Sequence, residues 1–174
     1  LKKNDMFFIK SLKTYEVSHD QFEIEQFNQK IKKDGSSYLF HGSHKSNWYS
    51  ILMNGLQIFS STTRMTNGKA FGEGIYLSDS FEISKSYSIM RTTSDYNTFI
   101  VGVFEVIGDI AQYKKSHNIY VINDISKLRI KYILWNESKK LTVEESTNIS
   151  NKFGRIIIKN PPGLLAGNWP SARS

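Results

Sequence analysis

The chain has 174 residues, a formal net charge of +7 at pH 7 and no cysteine. The missing cysteines exclude disulfide bonds, a thiolate nucleophile and cysteine-based zinc sites, and they fit an intracellular protein of the cytoplasm or nucleus. No apolar run approaches the ~20 residues that a transmembrane helix needs, so we expect a globular domain without a membrane segment.

The positive charge is spread along the chain in short lysine pairs, with no long basic run. We interpret it as an ordinary solvated surface, although such a field would also attract an anionic partner such as a pyrophosphate. The four histidines lack the spacing of metal ligands, so we expect no metal site. Because the first residue is Leu1, we expect a fragment of a longer protein.

The first clear element is an amphipathic helix over residues 19–33. Its apolar residues recur at helical spacing with charges between them, and Ser18 or Asp20 can cap its first turn. Gly35 follows two lysines and an aspartate, which is a typical helix stop. Residues 1–15 fit either a strand or a short helix.

A short apolar strand follows and ends abruptly at the polar corner His41-Gly42-Ser43. The glycine leaves its backbone N–H and C=O groups unobstructed by a β-carbon, so a ligand can approach them closely. A lone histidine at a strand end is more often structural than functional. The corner alone therefore does not decide between the two interpretations.

The remaining elements alternate strands with two further helices. A helix over residues 47–54 has its buried stripe at Trp48, Ile51 and Leu52. Residues 57–70 are rich in Ser, Thr, Asn and Gly and form a loop. After this loop we predict a strand at 75–77, a helix at 81–89 capped by Asp79 or Ser80, and strands at 99–107, 118–122 and 128–135. In the strand at 128–135, Arg129 and Lys131 are expected on the face opposite its apolar side. The rest of the chain is predicted as a loop or weak helix at 136–151, a last strand at 153–159 and an irregular tail from 160. We therefore predict one α/β domain dominated by antiparallel strands.

Several motifs occur together in an order and spacing that resemble one protein family. They are Phe40-His41-Gly42-Ser43, then Asn47-Trp48, Ile51-Leu52 and Asn54-Gly55-Leu56, then Phe71-Gly72-Glu73-Gly74-Ile75-Tyr76, and last Arg129-Ile130-Lys131-Tyr132-Ile133-Leu134. Over roughly residues 37–135 they resemble the catalytic domain of the poly(ADP-ribose) polymerase family, the diphtheria-toxin-like ADP-ribosyltransferases. The resemblance implies two packed, mainly antiparallel sheets flanked by short helices, and NAD as the ADP-ribose donor. It also makes residues 57–70 the donor loop that lies over the dinucleotide.

The resemblance implies a set of NAD-binding residues: His41, Gly42, Ser43, Tyr76, Ser84 and Tyr87. Gly42 would pair its main-chain N–H and C=O with the nicotinamide carboxamide, and the Ser84 hydroxyl would add a hydrogen bond to the same amide. Tyr87 would stack on the nicotinamide ring, and Tyr76 would close the other wall. His41 would hydrogen-bond ribose hydroxyls and fix the pose of the dinucleotide.

The sequence departs from the family at the third position of its catalytic triad. Polymerising members carry a glutamate there, but counting back from Tyr132 places Ile119 at that position. Isoleucine can neither orient a ribose nor activate a hydroxyl for chain extension. The chain therefore most resembles the mono-ADP-ribosyltransferase branch, with a triad of His41, Tyr76 and Ile119. That branch transfers a single ADP-ribose from NAD to a protein side chain and releases nicotinamide.

Two other functions stay open at this point. A catalytically inactive module that binds NAD or ADP-ribose would also keep Gly42, Ser84 and Tyr87, and some family members modify nucleic-acid ends. The basic charge permits the second alternative, but no basic-aromatic stripe supports it. We expect a monomer with a protein acceptor, which the short and generic acceptor loop around residues 108–117 does not identify. The predicted segments are a lead-in over 1–36 within the same domain, a catalytic core over 37–159 and an irregular tail over 160–174.

Overall fold

The computed structural model describes residues 12–58, 70–89, 98–136 and 143–144. The strands are β1 (Leu12–Glu16), β2 (Ser36–Gly42), β3 (Ile75–Leu77), β4 (Phe99–Ile107), β5 (Lys114–Ser116), β6 (Ile119–Ile122) and β7 (Leu128–Asn136). The α-helices are α1 (Gln21–Asp34), α2 (Trp48–Asn54) and α3 (Phe81–Ile89), with 3₁₀ turns at Lys45–Asn47, Ile110–Tyr113 and Ile125–Lys127. None of the described helices is long and apolar enough to cross a membrane. The strand and tail predicted from residue 153 onward, and most of the two predicted loops, lie outside the described residues.

The strands form two antiparallel sheets, one of four strands in the order β1-β7-β4-β2 and one of three in the order β3-β6-β5. An isolated bridge joins them where the backbone groups of Phe40 in β2 pair with those of Ser78, at 2.7 and 2.9 Å. The predicted fold class, an α/β domain with two mainly antiparallel sheets and short helices, is confirmed. The predicted segment boundaries stay predictions.

Helix α1 has the start and stop that its sequence predicts. Of the two candidate caps, Asp20 is the one that accepts a hydrogen bond from a first-turn N–H, at 2.9 Å. Gly35 has φ 74°, which glycine adopts without strain, and its N–H donates to the Ile31 carbonyl. The helix buries Phe27 and Ile31 against Ile107 of β4, so its apolar stripe faces the larger sheet.

Apolar side chains cover both faces of the larger sheet. One cluster fills the space between the two sheets and includes Leu39 of β2 and Trp48 of α2. A second cluster lies under α3, where the Phe81 ring meets the Phe40 ring edge to face at 5.8 Å between centroids. Successive strand residues point to opposite faces. Phe40 therefore faces α3, and His41, which follows it, faces the space between the sheets.

The prediction that β7 has a single apolar side, with Arg129 and Lys131 on the face opposite it, is wrong, because apolar residues lie on both faces. Ile130 packs in the cluster between the sheets, and Tyr132 and Leu134 pack in the cluster under α3. The register between β4 and β7 shifts between Val103 and Phe104, so that Lys131 has no partner across the ladder and the alternation breaks there. Arg129 is only 7% exposed, and its Nη2 atom donates to the fully buried Glu105 directly opposite, at 2.8 Å.

The Glu105 carboxylate is the centre of a buried polar cluster. Its Oε1 atom accepts hydrogen bonds from the Ser36 hydroxyl at 2.8 Å and from the Tyr38 hydroxyl at 3.2 Å. Arg129 also donates to the side chain of Asn28 in α1, at 3.2 Å. A buried ion pair needs such hydrogen bonds because it has lost its water. The cluster ties α1 and β2 to the β4–β7 pair.

Two smaller differences concern α2 and the segment after β4. Leu52, predicted to be buried, is 47% exposed, because the short helix α2 contacts the core through Trp48 and Ile51 only. Residues 108–117, predicted as a generic loop, form a 3₁₀ turn and the strand β5, which pairs with β6. The 3₁₀ turn buries two apolar side chains in the core between the sheets, which explains why this segment packs onto the smaller sheet.

Candidate active site

The last residue of β2 presents backbone groups that the sheet does not use. In an antiparallel ladder the N–H and C=O groups of successive residues alternate in direction. Those of Phe40 point away from β4 and toward Ser78, so those of Gly42, two residues later, also point away from β4. Among the described residues no backbone group pairs with them. This edge of β2 therefore offers a donor and an acceptor side by side.

Helix α3 approaches Gly42 so closely that only glycine fits. A β-carbon at position 42 would overlap the backbone carbonyl oxygen of Ser84. Ser84 is buried, and Tyr87, one turn further along α3 and 37% exposed, lies on the same side of the helix. The structure thus brings Ser84 against the strand end and places the ring of Tyr87 next to it along the helix.

His41 lies on the other face of β2, between the two sheets. Its Nδ1 atom donates a hydrogen bond to the backbone carbonyl of Tyr76 at 2.9 Å. The rings of Trp48 and Phe104 meet the imidazole edge to face, with centroids 6.3 and 5.8 Å away. Burial lowers the pKa of His41 below its usual 6.5, against the smaller opposing effect of the bond to Tyr76. A neutral ring that donates from Nδ1 keeps Nε2 free to accept a hydrogen bond.

Two residues that support His41 were missed as site residues. The indole N–H of Trp48 donates to the Ser43 carbonyl at 3.1 Å, in addition to its contact with His41. Gly102 lies opposite His41 in β4, and a β-carbon there would come within 2.7 Å of the Trp48 and Phe104 rings. Trp48 was predicted only as a core residue. The available signal for Gly102 was a glycine inside an otherwise apolar strand.

Tyr76 and Ile119 lie on the same face of the smaller sheet. Tyr76 is paired with Val121, and alternate residues of β6 point the same way, which puts Ile119 on that face. Both side chains are partly buried. The Tyr76 hydroxyl donates to the Gly72 carbonyl at 2.7 Å and accepts from the Phe71 N–H at 3.0 Å. Tyr76 therefore holds the glycine-rich turn before β3 while its carbonyl holds the histidine.

Ser43 stabilises the corner itself. Its hydroxyl accepts from the Asn47 side chain at 2.9 Å, and its carbonyl accepts from Trp48. Throughout the described part of the chain, no group of three or more His, Asp or Glu side chains could hold a metal ion. At the end of β2 the structure brings His41 to Tyr76 and Gly42 to Ser84. Tyr87 follows Ser84 along α3, and Ile119 shares a sheet face with Tyr76. Their roles toward NAD stay predictions.

Two antiparallel sheets that meet beside a histidine-glycine corner, with a helix packed on the glycine, point to the class of ADP-ribosyltransferases. The family model described as "Poly(ADP-ribose) polymerase catalytic domain" matches residues 3–117, well over half of the chain. The chain therefore belongs to this family of NAD⁺ ADP-ribosyltransferase domains, as its motifs indicated. The matched residues include His41 and Tyr76 and end before Ile119, so the third position of the triad stays a prediction.

Curated relatives match shorter stretches. Protein mono-ADP-ribosyltransferase PARP8 of Mus musculus, like that of Homo sapiens, is 48% identical over 65 residues, which are 37% of this chain and 8% of the relative. Poly [ADP-ribose] polymerase tankyrase of Caenorhabditis elegans is 43% identical over 63 residues, 36% of this chain and 3% of the relative. Poly [ADP-ribose] polymerase 2 of Homo sapiens is 39% identical over 72 residues, 39% of this chain and 12% of the relative. The chain thus matches only a small part of these longer proteins, whose names include both mono- and poly-ADP-ribosylation.

Proposed function

We propose that this chain is a NAD-dependent mono-ADP-ribosyltransferase, which transfers a single ADP-ribose from NAD to a protein side chain and releases nicotinamide. The observation that carries the proposal is the contact of Gly42 with Ser84 beside the unused backbone groups of the β2 edge. A planar amide can reach such an edge because no side chain covers it. The proposal concerns this domain only and does not extend to the activities of the longer relatives.

The nicotinamide carboxamide matches the groups at this edge. The Gly42 N–H would donate to the amide oxygen. The Gly42 C=O and the Ser84 hydroxyl would form further hydrogen bonds to the same amide. Each buried polar partner left unmet costs about 1–3 kcal/mol, so a ligand without the amide would bind poorly. Tyr87 would stack on the ring for about 0.5–1.5 kcal/mol beyond burial, with a cation–π contribution because the ring is charged. Tyr76 would form the opposite wall.

His41 would hold the dinucleotide through a ribose hydroxyl. Its Nδ1 atom is committed to the Tyr76 carbonyl, so Nε2 is the atom that would accept the hydrogen bond. The lowered pKa keeps the ring neutral, and hence an acceptor, at neutral pH. Holding the ribose in one pose contributes to breaking its bond to nicotinamide, because positioning alone removes much of the barrier.

Ile119 supports transfer of a single unit. Chain extension requires a base for a hydroxyl of an ADP-ribose already attached, and isoleucine has neither a base nor a hydrogen-bond acceptor. An acceptor side chain that is itself nucleophilic needs no such base for the first transfer. If Ile119 replaces the family glutamate, as the resemblance implies, the first transfer can therefore still occur and chain extension cannot.

The test is incubation of the purified chain with labelled NAD, followed by mass spectrometry of the protein and of released nicotinamide. We expect additions of one ADP-ribose per modified side chain, with nicotinamide released in equal amount. His41→Ala is the control variant, and it should lose transfer because the ribose is no longer held. A ladder of polymer from the wild-type chain would contradict the proposal.

NAD binding and turnover are measured separately, because an inactive binding module would share the first and lack the second. A benzamide that mimics nicotinamide should raise the Tm, since a ligand that binds only the folded state stabilises it. A Tm shift without nicotinamide release would identify a binding module instead of an enzyme. Modification of oligonucleotide ends in preference to protein would identify the third candidate function.

A further inference from the structure

The β5–β6 hairpin contains Ile119, the first residue of β6, and its strand β5 forms the outer edge of the smaller sheet. Among the described residues β5 pairs only with β6, so its other edge faces away from the sheet. Ser116 of β5 lies directly opposite Ile119 in the register. An acceptor that approaches Ile119 from this side passes along β5.

This edge is positively charged. Lys114 and Lys115 are exposed, and neither forms an ion pair with a described residue. The Lys114 ammonium lies 5.9 Å from the centroid of the Tyr120 ring, a contact that keeps it at the edge. No Asp or Glu occurs over residues 110–123, and the Asp79 carboxylate nearby already accepts from the Tyr120 hydroxyl at 3.0 Å. The edge therefore favours an anionic partner.

We infer that the β5 edge, formed by Lys114, Lys115 and Ser116, docks an acidic segment of the acceptor protein and presents one of its carboxylates to the site. The inference rests on the proposed function. In the transfer, a carboxylate oxygen forms a bond to the ribose C1 atom, the bond from C1 to the nicotinamide nitrogen breaks, and its electron pair leaves with neutral nicotinamide. The carboxylate enters deprotonated, so the step needs no base, in keeping with Ile119.

A peptide fits this edge better than a nucleic-acid end does. An extended peptide can add to an exposed strand edge through main-chain hydrogen bonds, which a nucleic acid cannot form. Binding of single strands relies on aromatic side chains that stack on bases, but Tyr113 and Tyr120 near this edge are only 8% and 5% exposed. Because β5 has only 3 residues, the backbone contacts are few and the two lysines supply most of the selectivity.

Docking is tested with a fluorescent peptide of alternating Glu and Gly and a matched peptide of Gln and Gly, in the presence of benzamide. Lys114→Glu/Lys115→Glu reverses the charge of the edge. Lys32→Glu/Lys33→Glu makes the same change at the exposed end of α1 and is the control. At low salt we expect the edge variant to bind the Glu peptide roughly tenfold more weakly, with the control close to wild type and little change for the Gln peptide. The Tm and its benzamide shift report whether each variant is folded.

Transfer to the Glu peptide is followed in separate samples of the same variants, with NAD and without benzamide, and nicotinamide release is the measure of chemistry. A rise in Kd and in KM for the Glu peptide in the edge variant alone would support the inference. Equal weakening in both double variants, unchanged binding in the edge variant, or tighter binding of an end-phosphorylated oligonucleotide than of the Glu peptide would each overturn it. Failure of the proposed function would give a different result, with no nicotinamide release in any sample. Charge-dependent binding of the peptide would then persist and would still support the docking surface.

Discussion

Gly42 and Ser84 approach so closely that the Ser84 carbonyl oxygen occupies the volume that a β-carbon at position 42 would need. The contact fixes α3 against the edge of β2, beside the apolar contact of Phe81 with Phe40. The close backbone contact and the apolar packing therefore both hold α3 against β2, and the candidate nicotinamide pocket lies at this interface. A methyl group added at position 42 therefore tests both the packing of α3 on β2 and the binding of a ligand in the pocket.

Gly42→Ala is expected to abolish the Tm shift by a benzamide and to destabilise the fold by about 1–3 kcal/mol, because α3 must move to admit the methyl group. Urea denaturation measures the free energy of unfolding, and the Tm with and without benzamide measures binding. A benzamide shift that survives in a folded Gly42→Ala protein would show that the pocket lies elsewhere.

Gly55→Ala is the matched control for this substitution. Gly55 has φ 71°, so alanine is strained there, but a β-carbon would meet no atom within 4 Å. We expect a loss of about 1–3 kcal/mol from the backbone conformation alone and an unchanged benzamide response. The comparison separates the effect of the α3 contact from the general effect of replacing a glycine.

The buried pair of Arg129 and Glu105 predicts an asymmetric mutational effect. Arg129→Met leaves a carboxylate buried without its cation, which should cost about 3–5 kcal/mol in urea denaturation. Adding Glu105→Gln should recover part of that loss, because no net charge then stays buried. The control is the pair of Lys85 with Glu82, 3.1 Å apart, in which Glu82 is 51% exposed. Lys85→Met should cost at most about 1 kcal/mol, and equal costs for the two methionine variants would contradict the argument.

The elements that could be predicted from the sequence are those whose signals are local. The spacing of apolar residues and the Asp20 and Gly35 caps define α1 without reference to any other segment. Burial of Arg129 could not be predicted in this way, because it depends on Glu105, which only the pairing of β4 with β7 places opposite it. The exposure of Leu52 likewise depends on how α2 meets the sheet, which its own periodicity does not specify.

The same distinction between local and long-range signals applies to the residues of the candidate site. His41 and Gly42 could be identified because a motif of fixed spacing contains them. Trp48 and Gly102 could not be assigned a role, because they support the imidazole through space, from α2 and from the neighbouring strand. The position of Ile119 depends on counting along one strand, so its role requires experiment.

His41 should make the stability pH-dependent. Its pKa is lowered in the folded chain by burial, while the unfolded chain keeps the usual 6.5. The unfolded state therefore binds a proton first as the pH falls through 6.5, and the free energy of unfolding should decrease below that pH and stay level above it. Urea denaturation across this range measures the effect. His41→Asn, whose amide can replace the Nδ1 donor toward Tyr76 but does not titrate, should remove this part of the slope, and an unchanged slope would assign it to other groups.

Trp48→Phe should weaken the support of the histidine-glycine corner. Phenylalanine keeps an aromatic ring but removes the donor to the Ser43 carbonyl, at a cost of about 0.5–1.5 kcal/mol in urea denaturation. We expect KM for NAD to rise, because the corner is less firmly held. Tyr49→Phe, at a 78% exposed position of the same helix, is the control and should leave both quantities unchanged. Equal effects of the two substitutions would deny Trp48 a supporting role.

Ile119 should limit the product to a single ADP-ribose per acceptor side chain. Elongation needs a hydroxyl of an attached ADP-ribose to be deprotonated and held against a new NAD, and Ile119 provides neither a base nor an acceptor. Ile119→Ala removes only an apolar contact, so first transfer should persist, whereas His41→Ala should lose transfer because the ribose is no longer held. Ile119→Glu restores the acid, but we expect no polymer from it, since the β5 side of the site must also admit an ADP-ribose. Mass spectrometry counts the units, and polymer made by the wild-type chain, or transfer by His41→Ala equal to that of the wild type, would refute this assignment of roles.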